Sequence, residues 1–126
     1  MDSTRIVDVS VQTSDDLTAH PVEDQRFWTV TEGDRPTYTS RSDFLSADER
    51  LHVGVSQYDK MTLQLTDYPV DEFMHILEGQ VEITDENGAS KVYGPGDKFV
   101  MPKGFSGTWR QLSAIKKLDV YYGTLA

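Results

Sequence analysis

An all-β fold, a jelly roll, is predicted by three observations in this sequence. From Arg26 onward, short runs rich in Val, Ile, Thr, Tyr and Phe alternate with turn signals at intervals of roughly eight to twelve residues, the spacing of sandwiches and barrels. No long helix is apparent, and nine glycines and five prolines break the chain too often for one. The number of strand-like runs suits a jelly roll.

Taken in order, RFWTVT (26–31) ends at the turn cluster EGDRP, TYTSRSDF (37–44) ends at SADE, and LHVGVSQY (51–58) leads through Asp59 and Lys60 to MTLQLT (61–66). After DYPVD come EFMHIL (72–77) and QVEIT (80–84), the latter closed by DENG. SKVY (90–93) and KFVM (98–101) flank GPGD, and PKGFSG precedes TWRQL (108–112) and KKLDVYY (116–122). Each run is β-branched or aromatic in character, and each boundary but Ser113–Ile115 carries a Gly, Pro, Asn or Asp suited to a turn. Residues 1–24 are read as an N-terminal strand or arm and 25–126 as one domain. Within this segment, RIVDVSV (5–11) has strand character, while QTSDDLTAHPVED (12–24) is polar and expected to be a loop or an arm.

The formal net charge of -9, from 21 acidic against 12 basic side chains, repels phosphate backbones, and the basic residues form no stripe. Nucleic acid is therefore not an expected partner, and the acidic excess is read as a solvated surface. No run reaches the ~20 apolar residues of a membrane helix, and MDSTRIVDVSV lacks a leader pattern, so a cytoplasmic protein with no membrane partner is expected. With no cysteine there are no disulfides and no thiol nucleophiles.

The stretch DYPVDEFMHILEGQVEIT (67–84) places Glu72 and His75 three residues apart. On a helix they would share a face, and Glu49-x-x-His52 repeats the spacing, as in di-iron bundles. That fold needs four substantial helices, which this chain lacks. On a strand, Glu72, Met74 and Ile76 face one way and Phe73, His75 and Leu77 the other, so Glu72 and His75 do not grip one ion. His75 is read as a packing residue, and His20 and His52 have no metal-like neighbours in sequence. Ser56 in GVSQY lacks the second glycine of a nucleophile elbow, and no phosphate-binding loop is present.

DYPVDEFMHILEGQVEIT together with GPGDKFVMPKGFSGTW resembles the two signature segments of the cupins, over about Tyr38 to Tyr122. Glu72 and Gly79 keep the spacing of the first motif, and Gly96, Pro102 and Gly104 that of the second. The histidine pair of the first motif falls near Thr66 and Tyr68, or at Leu65 and Asp67, and Gly107 and Gln111 stand at the histidine and asparagine positions of the second. More narrowly, these segments and the basic pair Lys116-Lys117 look like the small single-domain cupins grouped with the ureidoglycine aminohydrolase-like cupin domain.

The resemblance implies a cupin jelly-roll β-barrel (a double-stranded β-helix), with Glu72 facing inward. Counting by two from Gly107 then turns Trp109 and Gln111 inward, with Tyr68 near the mouth. No cofactor and no metal ligand set is expected, since Glu72 is the one recognised ligand. The expected ligand-binding residues are Tyr68, Glu72, Met74, Trp109 and Gln111, with Glu72 as the candidate catalytic group. Trp109 Nε1 and Tyr68 Oη are the donors proposed to satisfy the Glu72 carboxylate; a cationic amine, guanidine or ureido-type ligand would do the same. The expected function is a homodimeric small-molecule-binding protein, with a metal-dependent aminohydrolase as the alternative. In KKLDVYY the apolar set Leu118, Val120 and Tyr122 argues for Lys117 outside, whereas the family resemblance argues for it inside.

Overall fold

Strands form where β-branched and aromatic residues lie between turn clusters, because an extended chain points successive side chains to opposite sides and one set is then buried. The computed structural model describes residues 4–10 and 17–125. These hold β1 (Thr18–Pro21), β2 (Trp28–Glu32), β3 (Thr37–Leu45), β4 (Leu51–Tyr58), β5 (Thr62–Leu65), β6 (Asp71–Glu78), β7 (Val81–Asp85), β8 (Ser90–Tyr93), β9 (Lys98–Met101), β10 (Gly107–Gln111) and β11 (Ile115–Tyr122). All ten expected runs are strands.

The N-terminal segment departs from expectation. Residues 5–10 of RIVDVSV form no strand, and 11–16 lie outside the described residues. The polar stretch expected to be a loop or an arm supplies β1, which pairs antiparallel with β3 from Thr18↔Ser40 to Pro21↔Thr37. As an edge strand it needs no alternating apolar pattern, and Pro21 at its end costs the ladder little. His20 lies opposite Tyr38, with ring centroids 5.1 Å apart.

The strands divide into two sheets, ordered β1-β3-β4-β11-β6-β9 and β2-β5-β10-β7-β8. The closed jelly-roll β-barrel expected from sequence is not formed. Neither sheet pairs its first strand with its last, so β1 and β9 remain edges of one and β2 and β8 edges of the other. The number of strands is right for a jelly roll, but closure depends on which strands pair at the edges, and no strand-by-strand composition encodes that. Two open sheets share a core in which Val70, Ile76 and Val81 are wholly buried, joined by Met74 and Met101 from the larger sheet and Leu63, Leu65 and Trp109 from the smaller.

The centre of the larger sheet is β4-β11-β6, held by ladders of eight and seven residue pairs. Lys117 lies opposite Ser56 and Ile76, Asp119 opposite Gly54 and Met74, and Tyr121 opposite His52 and Glu72. Residues directly opposed across a ladder share a face, so this register sets one row of polar side chains beside another on the inner side of the sheet.

Candidate functional site

These rows line a cavity of about 210 Å³ between the sheets. Its floor, on the larger sheet, carries His52, Ser56, Glu72, Lys117, Asp119 and Tyr121. Its ceiling is apolar: Trp28 on β2, Leu63 and Leu65 on β5, and Trp109 on β10. Glu72, Lys117, Ser56 and Asp119 are all buried.

A continuous chain of hydrogen bonds crosses the floor. Tyr68 Oη donates to Glu72 Oε1 at 2.7 Å, and Lys117 Nζ donates to Glu72 Oε2 at 3.4 Å. Lys117 also donates to Asp119 Oδ1, whose other oxygen accepts from Ser56 Oγ. The Lys117 ammonium lies 5.2 Å from the centre of the Tyr58 ring and 5.8 Å from that of Trp109, within reach of cation–π attraction. Two carboxylates thus surround one ammonium.

Burial sets the protonation of this cluster. It pushes the Glu72 carboxyl up to about 7, against the opposing pull of Lys117. Burial alone would lower the Lys117 pKa, but Asp119 and then Glu72 outweigh it, so the ammonium is held charged. The Tyr68 phenol is raised well above its ordinary value by burial and by the Glu72 charge, and Tyr58 is raised by burial. His52 is lowered by burial, against the opposing pull of Asp119 and Asp43.

Of the residues expected at the site, Tyr68, Glu72, Met74 and Trp109 line the cavity. Gln111 does not: its Nε2 donates to the carbonyls of Asp59 (3.0 Å) and Ser113 (3.1 Å). Trp109 Nε1 donates to Gln111 Oε1 at 3.1 Å, so it does not serve Glu72 as expected. Tyr68 does, from a buried position. His75 stands on the outer face, opposite Leu118 and Lys98.

Lys117 faces inward, contrary to the pattern of Leu118, Val120 and Tyr122. The outer face of this sheet is itself apolar, with Phe44, Val53, Val120, Phe73 and Val100 aligned strand by strand across it, so alternation could not tell inside from outside. The ladder with β6 also slips between Lys116 and Lys117. Asp119, Ser56 and His52 were missed. Once Lys117 is inward, the period of two brings Asp119 in with it.

Residues 60–118 match the family described as EutQ-like cupin domain. The match covers 59 of the chain's 126 residues, and over that segment the chain is similar to this cupin family. No curated protein matches it. Among solved structures, a cupin-like fold is shared with a protein of unknown function from the DUF861 family of Pseudomonas syringae pv. tomato DC3000 (21% identity, TM-score 0.73, 90% of this chain and 46% of that one). The EutQ protein of Clostridium difficile is similar at 19% identity (TM-score 0.59, 72% and 71% covered). A protein assigned as ethanolamine utilization protein Q of Salmonella typhimurium LT2 is similar at 23% identity (TM-score 0.58, 68% and 69% covered). At these identities the likeness is one of fold, and the chain spans about half the length of the Pseudomonas protein.

A metal of the kind the cupin motifs imply does not fit these donors. Tyr68 and Gly107 stand where imidazoles would be, and a Cβ at Gly107 would lie 2.2 Å from the Thr84 carbonyl oxygen. Glu72 is shared between a phenol and an ammonium. Among the described residues no three His, Cys, Asp or Glu side chains cluster as a metal would require.

Proposed function

We propose that the cavity of this cupin binds a small amine or ureido-type molecule, with Glu72 and Asp119 as its polar anchor. The observation that carries this reading is the pair of buried carboxylates set against a single ammonium, beneath an apolar ceiling. With Glu72 ionised the two carboxylates exceed the one ammonium, which favours a cationic or strongly hydrogen-bond-donating guest, while the ceiling takes its hydrocarbon part. The volume equals that of about seven waters, which limits the guest to a small molecule. Glu72, poised near neutrality, is the group able to exchange a proton with the guest.

The alternative of a metal-dependent aminohydrolase of the ureidoglycine type needs a donor set that does not fit here. The test is thermal unfolding of chelator-treated protein with a panel of small amines, guanidines and ureido compounds, ethanolamine included. A binder should raise Tm, since a ligand of the native state stabilises it. Glu72→Gln should weaken that binding about tenfold, the loss expected for one hydrogen bond to a charged group. If no member of the panel shifts Tm, the reading is wrong.

A further inference from the structure

The outer face of the larger sheet is apolar and bare. Among the large apolar side chains that stay exposed in the described residues, Phe44 (36%), Leu51 (37%), Tyr122 (54%) and Val100 (60%) all lie on it. Leu51 and Tyr122 oppose each other across β4 and β11, and two residues further along the strands Val53, Val120 and Phe73 join Phe44 to Val100 in a row that spans five strands. Ser10 meets this face at one corner, where its carbonyl accepts from Arg41 Nη2 at 2.5 Å. An antiparallel sheet with one face on the core ordinarily turns polar side chains to water on the other, so a continuous apolar row there marks a contact surface.

We propose that this face is the contact between two copies of the chain, packed sheet to sheet about a two-fold axis that lies in the interface along the row from Phe44 to Val100. Such an axis sets each residue of the row against itself and exchanges the flanks on either side. On β6, Asp71 and His75 flank Phe73, and Lys98 on β9 is paired with His75. Asp71 of one copy then comes over His75 of the other, with Lys98 of that copy alongside, so an acid meets two nitrogen donors at each end of the exchange. An axis along the strands would instead carry Lys98 over Arg41, two cations, which is unfavourable. The area is adequate. Five strands about 4.8 Å apart and three rows about 7 Å apart cover about 500 Å², or about 1,000 Å² over two copies, the size at which a specific interface begins. The face lies on the opposite side of the sheet from the cavity, so this proposal stands apart from the amine reading.

Sedimentation velocity and light scattering of the full chain at tens of micromolar should give the mass of two chains. Val100→Glu changes an exposed side chain that the single chain does not need for its core, and it sets two carboxylates against each other across the axis. It should raise the dimer dissociation constant about a hundredfold, the effect of apposed like charges. Val92→Glu, at an exposed apolar position on β8 of the other sheet, should leave the dimer intact. Orientation has its own readout. The chain has no cysteine, so Val100→Cys carries one thiol per copy. With facing sheets about 10 Å apart a short bis-maleimide should join the two copies, whereas an axis along the strands would part the thiols by about 19 Å. A monomer mass for the wild type, a dimer that Val100→Glu leaves intact or that Val92→Glu dissociates as readily, or a Val100→Cys protein that does not cross-link would each overturn the proposal.

Discussion

At Lys117 three kinds of contact converge on one ammonium: Glu72, Asp119 and the faces of two aromatic rings. Removing it in Lys117→Met would leave two carboxylates buried without their cation, and a broken buried pair of this kind loses about 3–5 kcal/mol. Unfolding in urea should therefore show a large fall in midpoint. Glu72→Gln in the Lys117→Met background should recover part of it, because one of the stranded charges is then gone. Wild-type stability in Lys117→Met would mean that the ammonium does not sit between the acids. Glu72 and Tyr68 were legible in the sequence because motif spacing locates them. Asp119, Ser56 and His52 were not, since each depends on register between strands far apart in sequence.

Among the elements, the turn from β6 into β7 shows why motif glycines outlast the metal ligands. Gly79 sits at φ +87°, and a Cβ there would lie 2.0 Å from the Ala114 carbonyl oxygen. Two costs then combine in Gly79→Ala: a left-handed backbone, about 1–2 kcal/mol, and displacement of the strand connection at Ala114. The variant should lose more than about 2 kcal/mol in denaturant unfolding, and a loss below ~1 kcal/mol would show that the connection yields freely. The ten strands were readable because local composition and turn chemistry decide them. β1 was not, being a polar edge strand specified by its pairing with β3. Nor was the open form of the sheets, because edge pairing is a property of the assembled whole.

For the whole molecule, charge and the buried acid act on stability in the same direction. Glu72 has an ordinary value of 4.5 and is raised to about 7 in the folded protein. Between those values the folded state binds more protons than the unfolded, so stability falls as pH rises from about 4.5 through 7, by a total on the order of 3 kcal/mol. The net charge of -9 adds self-repulsion that also grows with pH. His52, lowered by burial, works oppositely below its ordinary 6.5. Salt separates these contributions. Surface repulsion is screened over about 8 Å at 0.15 M ionic strength, whereas a buried carboxyl between the sheets is shielded little. Tm measured from pH 5 to 8 should slope downward in the wild type at low salt, and more gently at 0.5 M. The difference in slope between wild type and Glu72→Gln, in which the His52 contribution is common to both, should persist at high salt. A difference that disappears with added salt would assign the whole slope to the surface and return Glu72 to an ordinary carboxylate.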